Sequence, residues 1–189
     1  MSKRLLLRIW RWLPMSARMR WGLTWLGTSK FLVGVLAVIL DDQGRVLLLR
    51  HTYRPDYPWG LPGGWLKAGE GAAEGVEREL LEETGFVVRA TQPLIVGGDK
   101  AYPRLDLVFC CEYESGTFRP SAEVSEARFF DPGDLPAEME PYLRTIVALA
   151  LPTTGVEERQ RLINSWRGKA WLALASEEDA DSIRTANRQ

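Results

Sequence analysis

The chain has 189 residues, of which 46% are hydrophobic and 26% are charged. This balance is typical of one globular domain with a hydrophobic core and excludes a largely disordered protein. The net charge of −1 argues against a general nucleic-acid binder, so no nucleic acid polymer is expected as a partner. The charge is unevenly spread, because residues 1–40 carry seven basic residues and no acidic residue, which leaves 17 basic and 25 acidic residues beyond them.

The basic start of the chain predicts two helices. Residues 3–13, KRLLLRIWRWL, place arginines at helical spacing among leucines and tryptophans, and Pro14 ends this pattern. Ser16 is the predicted N-cap of a second helix that runs to about Leu26. We therefore treat residues 1–29 as a basic, tryptophan-rich helical extension. Two interpretations remain open for residues 1–27: peripheral contact with an anionic membrane, or packing on the domain or on a second subunit as a homodimer.

No segment predicts a membrane span or secretion. The longest apolar run, FLVGVLAVIL at residues 31–40, has ten residues and is too short to cross a bilayer. The apolar residues 5–13 are interrupted by arginines, and no small-residue cleavage site follows them. A cytoplasmic location is expected, membrane-peripheral under the first interpretation of the N-terminal segment.

The middle of the chain alternates strand-like and turn-like segments. Residues 31–40 read as a buried strand, DDQGR as a turn, and VLLLRH as the partner strand of a hairpin. Several more strands are predicted, with one acidic helix inserted among them and an apolar helix, PYLRTIVALAL, after them. The pattern predicts a mixed α/β or α+β sandwich. The predicted organisation has three parts after the N-terminal extension: a domain at 30–150, a helical segment at 151–175 and a flexible tail at 176–189.

Cys110 and Cys111 are the two cysteines of the chain and lie side by side in an apolar run. Neighbouring residues of a strand point to opposite faces, and no third cysteine is available for a disulfide bond. We expect both to be reduced packing residues.

The acidic segment GWLKAGEGAAEGVERELLEETGF, residues 64–86, contains six glutamates. It predicts a helix from about Ala72 to Thr84, ended by Gly85 in the left-handed conformation. Three of the glutamates, Glu79, Glu82 and Glu83, fall on one face at i, i+3 and i+4. One interpretation is an ordinary solvated charged face. The other is an oxygen-ligand site for a hard cation such as Mg²⁺ or Mn²⁺, which would relieve the repulsion among the carboxylates.

The same segment resembles the Nudix box, in which a glycine, a glutamate and an Arg-Glu-hydrophobic-any-Glu-Glu-any-Gly-hydrophobic sequence follow one another at fixed intervals. Every specified position is filled at the right interval, by Gly64, Glu70, Arg78, Glu79, Leu80, Glu82, Glu83, Gly85 and Phe86. The resemblance implies a Nudix α/β/α sandwich with a mixed sheet over roughly residues 30–150. It also implies Mg²⁺-dependent hydrolysis of a nucleoside diphosphate linked to another moiety.

The resemblance further implies roles for individual residues. Glu79, Glu82 and Glu83 would be metal ligands, with the backbone carbonyl of Gly63 as a further candidate. Glu70 would orient the site, and Arg78 would hold a carboxylate of the box by a charge-assisted bond. The general base of the family is a box glutamate or one from a later loop. Glu123 is the favoured loop candidate here and Glu126 the second, and the alternative for both is ordinary loop charge.

Substrate contacts are less sharply indicated. Arg50, Arg54 and Arg104 are candidates for phosphate contacts, and Trp59 is a candidate for stacking on a nucleobase or, equally, for packing. His51, the single histidine, is read as a polar residue at a strand end or as a substrate contact. Two alternatives to the hydrolase stay open: a Nudix-like regulatory module that binds a nucleotide without cleaving it, and a membrane-associated Nudix enzyme acting on a nucleotide-linked lipid precursor.

Overall fold

The computed structural model describes residues 15–99, 103–151, 154–165 and 169–173. By its contacts the chain divides into two compact units, Met1–Lys30 and Phe31–Gln189. The predicted helix at residues 3–13, its end at Pro14 and the tail at 176–189 lie outside the described residues. Among the described residues, no helix has the length and apolarity needed to cross a bilayer.

The first unit contains helix α1, Ala17–Gly27. The predicted N-cap is confirmed, because the Ser16 hydroxyl accepts a hydrogen bond from the Met19 amide at 3.3 Å. Trp21 and Trp25 stack with ring centroids 6.5 Å apart, and both are more than half exposed. Membrane contact and packing or dimerisation of this segment both remain predictions.

The second unit is built from two β-sheets with helices on both faces. Its elements in chain order are β1 Leu32–Ile39, β2 Val46–His51, β3 Trp59–Gly60, β4 Gly63–Trp65, α2 Ala72–Thr84, β5 Phe86–Asp99, β6 Arg104–Gly116, β7 Val124–Phe130, α3 Pro141–Ala150, α4 Val156–Ser165 and β8 Lys169–Ala173. One sheet has the strand order β4-β1-β6-β5-β8, and the other has the order β3-β2-β7. β1 runs parallel to β6 and antiparallel to β4, so the larger sheet is mixed, as predicted.

Alternation along β1 builds the two halves of the core. Val35, Ala37 and Ile39 pack with Val76 and Leu80 of α2. Leu36 and Val38 point the other way and pack in the cluster that includes Leu143 and Ile146 of α3. Because both faces of the strand are buried, its sequence is continuously apolar rather than alternating. The arrangement is the predicted α/β/α sandwich.

The predicted hairpin of residues 31–40 with VLLLRH is wrong. β1 and β2 belong to different sheets, and a single bridge between Leu40 and Val46 joins the two segments. β1 instead pairs with β4 and β6, and β2 pairs with β3 and β7. Both strands are apolar on both faces, so each is buried between neighbouring strands of its own sheet. Packing within each sheet therefore decides the pairing, and the turn between the two strands does not.

Two other predictions about elements also need correction. In the helical segment predicted at residues 151–175, helix α4 ends at Ser165, and residues 169–173 instead form β8, which pairs antiparallel with β5 at the edge of the larger sheet. The short strands predicted from FVVRA and PLIVGG are parts of one long strand, β5, whose pairing with β6 is interrupted by register shifts. The edge of β5 that does not pair with β6 is therefore covered by residues 169–173, although their own sequence predicts a helix.

The cysteine prediction is confirmed. Both residues are free thiols on β6. They point to opposite sides of the sheet, Cys110 toward the half of the core that contains α3 and Cys111 toward the half that contains α2. Burial raises the pKa of the Cys111 thiol to about 12, so this side chain stays protonated at neutral pH and behaves as a packing residue.

Candidate active site

The acidic segment folds as a loop followed by helix α2, with the predicted bounds. The helix runs from Ala72 to Thr84, and Gly85 ends it in the left-handed conformation with φ 77°. Val76 and Leu80 are fully buried against the sheet. Since these apolar residues fix the rotation of the helix, Glu79 and Glu83, one turn apart, line the cleft that runs beside it.

Two adjacent glycines bring the chain into contact with these carboxylates. Gly63 has φ 146°, and a Cβ atom there would lie 2.0 Å from the Val35 carbonyl oxygen, so no other residue fits without moving β1. A Cβ atom on Gly64 would lie 2.4 Å from the carboxyl carbon of Glu79. The double glycine therefore lets β4 pair with β1 while the Glu79 carboxylate packs directly against the backbone.

Arg78 holds the acidic residues in place. Its guanidinium donates to both carboxylate oxygens of Glu70, at 2.9 and 2.7 Å. It also donates to Glu79 at 2.8 Å and to Glu82 at 3.0 Å. The hydrogen bonds from Arg78, helped by the backbone amide of Lys67, lower the pKa of the Glu70 carboxyl to about 2. This geometry fits the orienting role expected of Glu70 and the carboxylate-holding role expected of Arg78.

The cleft has a volume of about 380 Å³ and brings together most of the residues named from the sequence. It is lined by Gly63, Glu79, Glu83, Glu123, Arg54 and Arg104. Glu82 does not. It is about half exposed and pairs with Arg78 and, at 3.4 Å, with Lys67. Glu126 is not among the lining residues either, and it forms an ion pair with Arg128.

Glu83 is the most perturbed carboxyl group of the cleft. Its residue is 8% exposed, and its Oε2 atom is buried without a hydrogen-bond partner among the described residues. Burial, together with the negative charges of Glu79 and Glu123, raises the pKa of the Glu83 carboxyl to about 7. A buried carboxylate next to like charges and without a donor is destabilising unless a cation accompanies it.

The donor set fits a hard divalent cation. Carboxylates and a backbone carbonyl are the ligands that Mg²⁺ and Mn²⁺ prefer. The Oε2 atom of Glu83 has no hydrogen-bond partner in the described part of the protein and is therefore free to bind a cation. Across the described ranges, no three His, Cys, Asp or Glu side chains are already grouped as a metal site, and Glu82 is held by Arg78 and Lys67 instead.

Three residues named from the sequence lie elsewhere. Trp59 is buried in the core, with its ring edge-on to Phe130 at 4.9 Å, so it packs and does not line the cleft. Arg50 is an exposed residue of β2 that also lies outside the cleft. His51 is 2% exposed, and burial together with the Arg54 charge lowers its pKa to about 4, so it is a neutral core residue.

Five further lining residues were not named from the sequence: Leu36, Tyr53, Trp65, Leu66 and Lys67. Trp65 directly follows the first glycine of the box, and this position in the motif is the feature of the sequence that could have identified it as a site residue. Its contacts with β6 could not be read from the sequence, because they depend on a strand some forty residues away along the chain.

Together, an α/β/α sandwich and a loop–helix–loop that presents carboxylates to a cleft define a class of hydrolases that act on nucleotide-type small molecules. A family model described as the NUDIX domain matches residues 30–150, and the chain belongs to this family as a Nudix hydrolase.

Relatives and solved structures agree with this membership. The chain is 32% identical over 107 residues to a MutT-like protein of Streptomyces ambofaciens, covering 57% of this chain and 68% of that protein. It is 30% identical over 103 residues to an ADP-ribose pyrophosphatase of Methanocaldococcus jannaschii, covering 52% of this chain and 61% of that protein. The crystal structure of a MutT NUDIX hydrolase from Burkholderia pseudomallei superposes with a TM-score of 0.55 at 26% identity, covering 65% of this chain and 100% of that one.

A Gly64→Ala variant is expected to lower kcat about a hundredfold. The added methyl group would occupy the space of the Glu79 carboxyl group and push it out of place, and misplacement by about 1 Å can cost about a hundredfold in rate. Gly71→Ala, in the same loop but with its nearest side-chain atom 3.4 Å from the added Cβ, is the matched control. Steady-state kinetics and thermal unfolding of both variants test this. Equal kcat for the two variants would contradict it.

Proposed function

We propose that the protein is a Mg²⁺-dependent pyrophosphohydrolase that cleaves a nucleoside diphosphate linked to another moiety. The observation that carries the proposal is the buried carboxylate of Glu83, whose Oε2 atom has no hydrogen-bond partner among the described residues and which lies near the charges of Glu79 and Glu123 in a cleft also lined by Arg54 and Arg104. Such a site combines ligands for a cation with positive groups for phosphate oxygens.

The candidate site residues have different roles in the proposed reaction. Glu79 and Glu83, with the Gly63 carbonyl, would hold Mg²⁺ or Mn²⁺, and Glu82 would join them only by leaving its ion pairs with Arg78 and Lys67. A bound divalent cation supplies neutralisation of pyrophosphate charge and lowers the pKa of water. Arg78 and Glu70 keep the carboxylates in position. Arg54 and Arg104 attract and orient the phosphates. Glu123 is the proposed general base, which takes a proton from the attacking water molecule.

The substrate class is a nucleotide derivative with a pyrophosphate linkage. A relative named as an ADP-ribose pyrophosphatase supports placing ADP-ribose first in a substrate panel. The relative named MutT-like supports including nucleoside triphosphates and their oxidised forms. Nucleotide sugars, CDP-alcohols and dinucleoside polyphosphates complete the panel, and the CDP-alcohols also test the lipid-precursor alternative.

The test is phosphate and nucleotide release from this panel with Mg²⁺, with EDTA, and with Mg²⁺ restored after EDTA. We expect at least one pyrophosphate-linked substrate to be cleaved, chelation to abolish the reaction, and Mg²⁺ to restore it. Cleavage that survives EDTA would contradict the metal requirement. Nucleotide binding without cleavage of any substrate would support the regulatory-module alternative instead.

A further inference from the structure

Two exposed aromatic rings line the acidic cleft and have no part in the proposed hydrolysis. Trp65 is 48% exposed and Tyr53 is 52% exposed. Each ring carries a guanidinium over it, Arg104 at 5.0 Å from the Trp65 centroid and Arg54 at 5.3 Å from the Tyr53 centroid. An exposed aromatic ring in a cleft offers a flat apolar face on which a planar ligand can stack.

The arginine over Trp65 is held from behind by a buried carboxylate. Arg104 Nε donates to Asp106 Oδ1 at 2.7 Å, and Asp106 is 3% exposed. Gly34 lies opposite Asp106 in the parallel pairing of β1 and β6. A Cβ atom on Gly34 would lie 2.5 Å from Asp106 Oδ1, so the absence of a side chain there makes room for the carboxylate. A buried ion pair contributes little to stability in itself, but it fixes the position of Arg104.

The backbone of Trp65 is held as well. Its carbonyl accepts a hydrogen bond from Arg78 at 3.2 Å, and the residue pairs with Gly34 at the edge of the larger sheet. Arg78 also binds Glu70 and Glu79, so the backbone of Trp65 and the two carboxylates are held by the same guanidinium. The Tyr53 ring has a looser support, because it lies in a loop and its hydroxyl contacts Arg54 at 3.4 Å.

We propose that Trp65, supported by Arg104, Asp106 and Gly34, is the platform on which the base of the nucleotide stacks, and that it makes the enzyme select substrates that carry a base. Stacking of a base on an aromatic side chain contributes about 1–3 kcal/mol. A ring that is already fixed loses little conformational entropy on binding. This inference rests on the proposed function in one respect, namely that a nucleotide enters this cleft.

The test compares two ligands that share a ribose phosphate and differ in the base. AMP and ribose 5-phosphate are monophosphates and have no pyrophosphate bond to hydrolyse, so isothermal titration calorimetry with Mg²⁺ measures binding alone. We expect Trp65→Ala to weaken AMP binding about tenfold to hundredfold and to leave ribose 5-phosphate binding within about twofold. Trp65→Phe is expected to retain most of the AMP affinity.

Tyr113→Ala is the matched control, because Tyr113 is also an aromatic residue of the second unit, 49% exposed, and it lies outside the acidic cleft. This variant is expected to bind both ligands as the natural protein does. Unchanged AMP affinity in Trp65→Ala would overturn the proposal. An equal loss for AMP and ribose 5-phosphate would overturn it too, because the defect would then not concern the base.

The natural protein must also bind AMP more tightly than ribose 5-phosphate, and equal affinities would overturn the proposal. Failure of the proposed function gives a different pattern. The natural protein would then show base-dependent AMP binding that Trp65→Ala abolishes, while no pyrophosphate substrate of the panel is cleaved.

Discussion

Glu83→Gln is expected to lower kcat by about a thousandfold or more while making the metal-free protein more stable at pH 8. The loss of activity follows from the proposed role of Glu83 as a charged metal ligand, which glutamine does not replace. The gain in stability follows from removing a buried negative charge that lies near like charges and whose Oε2 atom has no hydrogen-bond partner among the described residues. Opposite effects on activity and stability are the signature of a residue retained for function.

The sign of the pH dependence can be worked out from the shift. The folded protein raises the pKa of Glu83 from about 4.5 to about 7, so between these values the folded state binds more protons than the unfolded state. Stability therefore falls as the pH rises through this window, and it stays lowered above pH 7. Removing the charge by Glu83→Gln should raise the free energy of unfolding by about 1–3 kcal/mol at pH 8, with a difference that shrinks toward pH 5.

Urea unfolding in EDTA at pH 5 and pH 8 measures this difference. Glu77→Gln is the matched control, because Glu77 lies on the same helix but outside the cleft, where it accepts a hydrogen bond from the Ala90 amide that glutamine can also accept. Adding Mg²⁺ should stabilise the natural protein more than Glu83→Gln and so reduce or reverse the difference. A Glu83→Gln variant that is less stable than the natural protein at pH 8 would contradict the argument.

Glu123→Gln is expected to lower kcat about a hundredfold to ten-thousandfold, the usual contribution of a general base. Glu123 lines the cleft, and its charge contributes to the raised pKa of Glu83, so the two carboxylates are close. The backbone at this position is anchored, because the Glu123 carbonyl accepts hydrogen bonds from the Thr52 amide at 2.9 Å and the Thr52 hydroxyl at 3.3 Å. The register between β2 and β7 shifts beside it, between Arg50 and His51.

Glu126→Gln provides the control, since Glu126 pairs with Arg128 outside the cleft and its loss should change kcat by no more than about twofold. Kinetics at several Mg²⁺ concentrations separate a base from a metal ligand. A base is indicated if kcat falls and the Mg²⁺ concentration for half-maximal rate stays the same. A rise of tenfold or more in that concentration would instead make Glu123 a ligand, and full activity of the variant would exclude both roles.

Local signals explain why the acidic helix could be predicted well. Its apolar positions, Val76 and Leu80, recur at helical spacing, and Gly85 supplies the left-handed end. The resemblance to the Nudix box implied that Arg78 holds a carboxylate of the box and that Glu70 orients the site, and the hydrogen bonds between these two residues fit both roles. Adjacent cysteines on a strand had to face opposite sides of the sheet, and they do.

Pairings between distant segments explain what could not be predicted. The apolar sequence of β2 is compatible with a hairpin to β1, and only its packing beside β3 and β7 decides otherwise. The ring of Trp59 is equally suited to stacking on a base and to packing in a core. It packs in the core because the smaller sheet brings Phe130 next to it. Residues 169–173 are helix-like alone but pair with β5.

The sequence by itself determined the family, the acidic helix and the identity of the carboxylates, because these depend on residue types at short, fixed intervals. The tertiary structure decided which buried carboxylate has an oxygen atom without a partner among the described residues, which loop glutamate lies near it, and which aromatic rings stay exposed in the cleft. These properties depend on strands that are far apart along the chain and adjacent in the sheet. Parallel pairing of β1 with β6 places Gly34 beside Asp106. Asp106 in turn accepts a hydrogen bond from Arg104, whose guanidinium lies over the Trp65 ring.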